Sequence, residues 1–260
     1  MLMNSRTFLW FLGRPTLYPE MFRRLSWSLS HPRTPRSHRE SQKRLSAQWC
    51  ASVAVGREVF LGDLGFRGEL GKVSGIHPEI WRRAEQAAAD SPILMGGAGE
   101  VDLLYHLCLH LRAERVVETG VAYGWSSLAV LLALDRMGQG SLASSDMPYA
   151  LRRSDAQVGC VVPDALRGRW KLHRRPDRDI LPKVLREWPV IDLAHYDSDK
   201  SEPGRAFGYD LLWKALRPGG VLISDDIQDN LAFRAFSEAV ERKPWVLFSR
   251  DGAYVGILRK

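Results

Sequence analysis

The sequence predicts a doubly wound α/β domain, a mostly parallel sheet with helices on both faces, preceded by an N-terminal helical extension. Three observations carry this. From about residue 76, short apolar runs alternate with segments of helical length, the order from which parallel sheets are built. The chain has 260 residues, 45% hydrophobic and 26% charged, enough to bury the core of one enzyme-sized domain with an appendage. Near the end, Asp251-Gly252 separates two apolar runs and signals a hairpin, which makes the last strand antiparallel.

The chain divides at about residue 75. Before it lie Phe8–Leu12, a short apolar cluster, and Tyr18–Leu29, where Phe22, Leu25 and Leu29 recur at helical spacing. His31–Arg44, rich in Pro, Ser and Arg, reads as an exposed linker. Residues 1–75 are therefore expected to form a basic arm and helical extension, and residues 76–260 the main domain. In that domain a helix opens at Ile76-His77-Pro78-Glu79 and runs to about Asp90, and a second covers about Glu100–Arg112. A strand at Arg115–Thr119 leads through a glycine turn to a helix at Trp125–Met137, which Gly138 stops. Strands follow at Ser141–Ser145, Trp170–His173, Val190–Tyr196 and Val221–Ser224, with helices at Ile180–Glu187, Phe207–Leu216 and Leu231–Arg242. Val246–Ser249 and Tyr254–Leu258 complete seven strands.

Charge is distributed unevenly. Residues 1–45 hold nine Lys or Arg against Glu20 and Glu40, whereas the remaining residues carry 28 bases and 28 acids. The excess of +7 thus belongs to the arm. A neutral body argues against nucleic acid as partner, because binding phosphates needs basic charge around the cleft. The arm is expected to lie on the domain or on an anionic surface. The longest strictly apolar run, Leu128–Leu134, is too short to span a bilayer. Three separated cysteines without a CxxC pair favour a reducing compartment, taken as the cytoplasm. The Arg- and Ser-rich, acid-poor start also fits a mitochondrial transit peptide.

Chemistry concentrates in three places. Val116-Val117-Glu118-Thr119-Gly120-Val121-Ala122-Tyr123-Gly124-Trp125-Ser126-Ser127 is a buried strand with an acid at its end, then two glycines opening a helix. Glycine lets the backbone pass close to a ligand, and the helix N-terminus presents free N–H groups to an anion. The glycines stand four apart, so this is not the dinucleotide fingerprint. An acid there suits a ligand bearing a cation, such as an amino-acid ammonium. Asp146 ends the next strand, where a carboxylate can accept both hydroxyls of a ribose. Finally, Ile191-Asp192-Leu193-Ala194-His195-Tyr196-Asp197-Ser198-Asp199 and Leu216-Arg217-Pro218-Gly219-Gly220-Val221-Leu222-Ile223-Ser224-Asp225-Asp226 each end a strand in carboxylates.

Together these motifs resemble class I S-adenosylmethionine-dependent methyltransferases, and within them the small-molecule O-methyltransferases related to the macrocin-type sugar methyltransferases. The resemblance covers about residues 100–258 and implies a seven-stranded Rossmann-like sheet. It implies that Glu118, Thr119, Gly120 and Gly124 hold the methionine end of S-adenosylmethionine, that Tyr123, Trp125 and Ser126 line the same pocket, and that Asp146 holds the ribose. The adenine-side turn of that family is replaced here by Arg174-Arg175-Pro176-Asp177-Arg178-Asp179. The resemblance further implies that Asp197, Asp225 and Asp226 bind Mg²⁺ and that Asp199 is the base. Three converging anions repel one another unless they are solvated, protonated or share a cation, and a hard divalent ion would resolve the conflict. Lys200 is read as an ion-pair partner of Asp199 or as an alternative base.

The acceptor implied is a small molecule, a sugar or glycoconjugate, with the N-terminal helices as a lid or homo-oligomer contact. Alternatives are a metal-independent methyltransferase acting on nitrogen or another acceptor, and a binding protein that keeps the fold without turnover. His195 is read as a satisfied core histidine. His106 and His110 have the i, i+4 spacing of a zinc pair but lack a third ligand. Trp81, Trp213 and Trp245 are expected in the core, and the Arg-rich stretch 167–178 in a solvated loop.

Overall fold

The computed structural model of the chain describes residues 5–30, 35–66, 70–149, 155–249 and 252–260. The elements, in chain order, are helices α1 (Ser5–Leu12), α2 (Tyr18–Ser30), α3 (Arg36–Val53), α4 (Arg57–Asp63), α5 (Val73–Ile76), α6 (Pro78–Ala89) and α7 (Val101–Leu111). Then β1 (Arg115–Thr119), α8 (Trp125–Met137), β2 (Ser141–Ser145), α9 (Asp164–Arg167), β3 (Trp170–His173), α10 (Asp177–Glu187) and β4 (Ile191–Tyr196) follow. The chain closes with α11 (Glu202–Ala215), β5 (Leu216–Ser224), α12 (Ala232–Ala239), β6 (Trp245–Phe248) and β7 (Tyr254–Arg259).

The seven strands form one sheet in the order β3-β2-β1-β4-β5-β7-β6. The first five are mutually parallel, and β7 runs antiparallel to both neighbours. Strand order reverses between β1 and β4, so the crevice at their carboxyl ends is the place where such a sheet takes a ligand. The seven expected strands are all present, β5 reaching back to Leu216. The hairpin at the end of the chain is present too; Asp251 itself lies outside the described residues.

Two apolar layers cover the sheet. One packs α7 and α8 on it through Leu103, Leu104, Leu107, Leu128, Leu131 and Leu134; α8 is apolar all round because it is enclosed. The other, beneath α10 and α11, gathers Ile180, Leu181, Tyr209, Leu212, Leu222 and Phe233. Of the expected core tryptophans, Trp81, Trp213 and Trp245 are half-buried against these layers.

The boundary expected near residue 75 does not coincide with a break in packing. Residues from Arg36 onward, expected to be linker as far as Arg44, form α3. Its first half is exposed, which is why composition alone resembled a linker. Its second half buries Cys50 and sends the Ser46 hydroxyl to the carbonyls of Ile227 and Asn230, at 2.9 and 2.8 Å. The Val55 N–H bonds to the Val246 carbonyl at 2.9 Å, adding a bridge at the β6 edge. Phe60, Leu61, Leu64 and Val73 then join the α7–α8 layer. Helices α1 and α2 have their own small cluster of Phe11, Leu17 and Met21, and Met147 of the main domain packs against it.

The three cysteines are free. Cys50 and Cys108 are fully buried, and burial pushes the Cys50 thiol up to about 11 and the Cys108 thiol higher still. Thiolate is the reactive form. Titration with a thiol reagent should therefore find at most Cys160 in the native protein and three thiols after denaturation; three fast-reacting thiols in the native state would contradict this packing.

Candidate active site

The carboxyl ends of β1, β2, β4 and β5 are tied side by side. The Gly120 N–H bonds to the Ser145 carbonyl at 2.8 Å, Asp197 N–H to Thr119 at 2.8 Å, and Asp225 N–H to Tyr196 at 3.0 Å. Gly120 has φ +83°, and a methyl there would overlap the Asp197 carbonyl. Only glycine meets both conditions, since an L side chain is strained at positive φ and has no room. Gly124, at φ +94°, packs against Gly159 and opens α8.

Asp146 stands where the sequence placed it. Its Oδ2 accepts the Val121 and Ala122 N–H groups at 2.9 and 3.1 Å, and its Oδ1 meets the Arg174 guanidinium. Burial pushes its pKa up against the opposing pull of Arg174 and those two amides. Arg174 also reaches Asp155 at 2.8 Å, so the 174–179 stretch delivers a clamp on Asp146. Asp177, at the first turn of α10, accepts Ser145 Oγ at 2.7 Å and Ser198 Oγ at 2.5 Å. Ser198 and Thr119 hydroxyls lie 2.9 Å apart. Asp177 thus joins the ends of β2, β1 and β4, a role the sequence reading missed. Its only sequence signal was Pro176 followed by an acid at a helix start, where the helix dipole favours negative charge.

Three of the residues expected at the cofactor make contacts within the protein. Glu118 is fully buried and accepts Ser127 Oγ at 2.5 Å and Ser144 Oγ at 2.7 Å. The Tyr123 hydroxyl donates to the Ile93 carbonyl, and Trp125 packs on Trp81 with ring centroids 4.9 Å apart. The other Glu118 oxygen, Oε1, is buried without a hydrogen-bond partner among the described residues. Gly120 and Ser126 are half-buried at the head of the turn, whereas Thr119 and Gly124 are buried.

His195 is not an ordinary core histidine. Register on the sheet sets Ser144, Glu118 and His195 in one row across β2, β1 and β4. His195 Nδ1 lies 3.5 Å from Glu118 Oε1 and Nε2 lies 3.5 Å from Asp225 Oδ2. Burial alone would strip its proton; Asp225 and Glu118 overcome this and push its pKa up to about 10. The ring lies between the side chains of Glu118 and Asp225. Sequence gave no sign of it, because the pairing depends on strand register.

The acidic cluster has its own cation. Lys200 Nζ lies 2.9 Å from Asp197 Oδ1 and also contacts Asp226. Burial opposes the ammonium, but Asp197 and Asp226 outweigh it and raise its pKa. Its partners are these two acids, not Asp199. Asp199 is exposed; its Oδ1 accepts the Ser201 N–H at 3.1 Å at the start of α11. It does not join Asp197 and Asp225. Beneath them the fully buried Arg205 donates to the Asp225 and Asp226 carbonyls, at 3.1 and 2.7 Å, and to Asn230 Oδ1 at 3.3 Å.

Among the described residues no group of three His, Cys, Asp or Glu side chains converges closely enough to hold a metal. The position between Asp197 and Asp226 is taken by the Lys200 ammonium. Asp197, Asp225 and Asp226 as arranged do not fit the expected Mg²⁺. His106 is likewise engaged, by the Gly71 carbonyl at 2.8 Å, and His110 stacks on Phe66.

Beside Asp225 runs a cleft of about 370 Å³ lined by Arg57, Gly99, Glu100, Asp102, Phe248 and Ser249. Gly99 adjoins Asp225: a methyl there would lie 3.7 Å from Oδ2. Glu100 is paired with Arg57 at 2.5 Å and accepts Ser249 Oγ at 2.8 Å. Phe248 is 61% exposed.

Residues 117–227 match the family model of a methyltransferase domain. No curated protein matches the chain. Among solved structures, the fold is similar to an O-methyltransferase of Streptomyces achromogenes involved in tomaymycin synthesis, solved with S-adenosylmethionine (TM-score 0.54, 21% identity, 70% of this chain and 90% of that one). It is also similar to an O-methyltransferase of Bacillus cereus solved with S-adenosylhomocysteine (0.51, 16%, 81% and 100%) and to a methyltransferase of Geobacter sulfurreducens (0.51, 18%, 79% and 99%).

Replacing His195 with Leu leaves the buried Glu118 and the partly exposed Asp225 without the group between them. Breaking a buried pair in this way costs about 3–5 kcal/mol. Urea unfolding of His195→Leu should show a loss of that order; a loss under about 1 kcal/mol, the scale of a surface ion pair, would mean the ring is neutral.

Proposed function

We propose that the chain is an S-adenosylmethionine-dependent methyltransferase, a reading supported by the matched domain and by the fold, and that its methyl acceptor is a hydroxyl oxygen of a polar small molecule such as a sugar. The observation that carries this is the polar cleft opening beside Asp225, with an exposed aromatic ring on its wall. A sugar offers hydroxyls to Arg57, Glu100 and Ser249 and an apolar ring face to Phe248. Such a cleft also has the size of a small-molecule site.

In this reading Thr119, Gly120, Gly124 and Ser126 form the cradle for the methionine end. Asp146 takes the ribose hydroxyls once Arg174 releases its outer oxygen. Bound there, the sulfonium cofactor supplies an electrophilic methyl group. The chain's own task is to hold the acceptor oxygen in line and receive its proton. Asp197 suits the second part. Burial and the neighbouring Asp225 raise its carboxyl to about 6 against the pull of Lys200 and His195, and a base is most effective when its pKa lies near working pH. Asp199, the base expected from sequence, is exposed and turned to α11. Lys200 supplies the positive charge expected of Mg²⁺ and steadies Asp197 and Asp226.

Calorimetric titration with S-adenosylmethionine should show binding that Asp146→Ala weakens by about tenfold or more, the equivalent of one hydrogen-bonded contact or two. Absence of binding would leave the fold without turnover, as in a scaffold protein. In a screen of hydroxylated acceptors, turnover should survive EDTA; loss on chelation and recovery with Mg²⁺ would reverse the assignment of Lys200. A base must be ionised to act, so kcat/KM should fall as pH drops below about 6, and Asp197→Asn should remove that limb together with most of the rate. A profile flat to pH 5 would exclude Asp197.

A further inference from the structure

The helices α1 and α2 are inverted relative to an ordinary surface helix. Twelve large apolar residues are exposed among the described residues, and six of them, Phe8, Leu9, Leu12, Phe22, Trp27 and Leu29, lie in these two short helices. Leu9 is 65%, Phe22 60% and Leu29 85% exposed. Phe22 and Leu29 are seven residues apart and so share one stripe of α2. The acid of these helices is turned inward instead. Glu20 is buried, with Arg23 bound to both its oxygens at 2.7 and 2.6 Å and Arg24 at 2.6 Å. What faces outward is therefore apolar side chains with the arginines Arg6 and Arg24 among them.

We infer that α1 and α2 form a docking surface for a membrane rich in anionic lipid, lying in the plane of the interface. Charge selects this occupant. Residues 5–30 carry four arginines against the single acid Glu20, an excess of +3, and belong to the 1–45 stretch of excess +7 on a body of zero net charge. A symmetric contact between two copies would set two such arms face to face, and like charges repel. An anionic bilayer attracts the arginines and takes up Leu9, Phe22 and Leu29 at the headgroup boundary, the combination that holds interfacial helices. No helix among the described residues is long and apolar enough to cross the membrane, so the arm lies on it. The arm also touches the cofactor end of the crevice. Arg24 reaches the Met147 sulfur at 3.1 Å, one residue beyond Asp146, and Arg175 bonds to the Thr16 carbonyl. Docking would therefore hold that end of the domain against the bilayer.

The test is co-sedimentation of the full chain with vesicles of phosphatidylcholine alone and of phosphatidylcholine mixed with phosphatidylglycerol. Binding should be confined to the mixed vesicles and fall steeply with salt. Leu9→Glu combined with Leu29→Glu should weaken it by at least about tenfold, because each change removes apolar burial and adds repulsion. The circular dichroism spectrum and S-adenosylmethionine affinity should stay unchanged. Arg6→Glu should weaken binding without touching the apolar stripe. Equal binding to both vesicles, or none, overturns the inference. So does a dimer in sedimentation velocity that the double variant abolishes, which would assign the stripe to a second copy. Vesicle binding needs no turnover, so it stands or falls apart from the methyl-transfer reading.

Discussion

A row of alternating charge buried in the sheet holds the site together. Glu118 and His195 sit on adjacent strands and Asp225 just past the end of β5, with the buried His195 ring between the two acids. Ser127, Ser144 and, behind Ser144, the Trp170 indole at 2.9 Å extend the row to β3. Buried charge is tolerated only when paired and hydrogen-bonded. The row thus reads as a reason for strand register. A slip by one residue would turn His195 to the other face and leave Glu118 and Asp225 unpaired. The functional end of the sheet and its internal order depend on the same three side chains.

Above this row the crevice is built from short-range necessities. Gly120 is glycine because β1 and β4 close on each other at that point. Asp146 is bound to the turn amides, so the two strand ends beside the switch point are fixed to each other before any ligand arrives. The acidic turn after β5 is held differently, by cations from α11 and the loop before it. Arg205 grips its backbone carbonyls, and Lys200 balances its side chain.

The fold was legible in the sequence because its signals are local. Apolar runs of strand length, Pro78 opening α6, Gly138 closing α8 and Asp251-Gly252 ahead of the last strand each act over a few residues. Gly120, Gly124 and Asp146 were legible for the same reason. Less was visible where a residue's role comes from a partner far along the chain. His195 looks like any strand histidine until register sets it beside Glu118. Lys200 seemed to belong to its neighbour Asp199, yet it meets Asp226, 26 residues away. The first half of α3 has a linker's composition; what makes it a helix is the burial of Ser46 and Cys50 further on. Asp177, in a stretch that departs from the resembled family, could be placed only once β1, β2 and β4 stood side by side.

Arg205 has a bearing on how the molecule opens. It arises from α11, and its guanidinium is the common anchor of Asp225, Asp226 and Asn230. The acidic turn thus cannot loosen while α11 stays docked, and α11 cannot leave without exposing a cation and freeing that turn. Helix and turn therefore form one cooperative unit of the kind that native-state hydrogen exchange detects. The amides of this turn, though close to solvent, belong with those of the core helix in their protection, and the reactive edge of the domain has the lifetime of its interior.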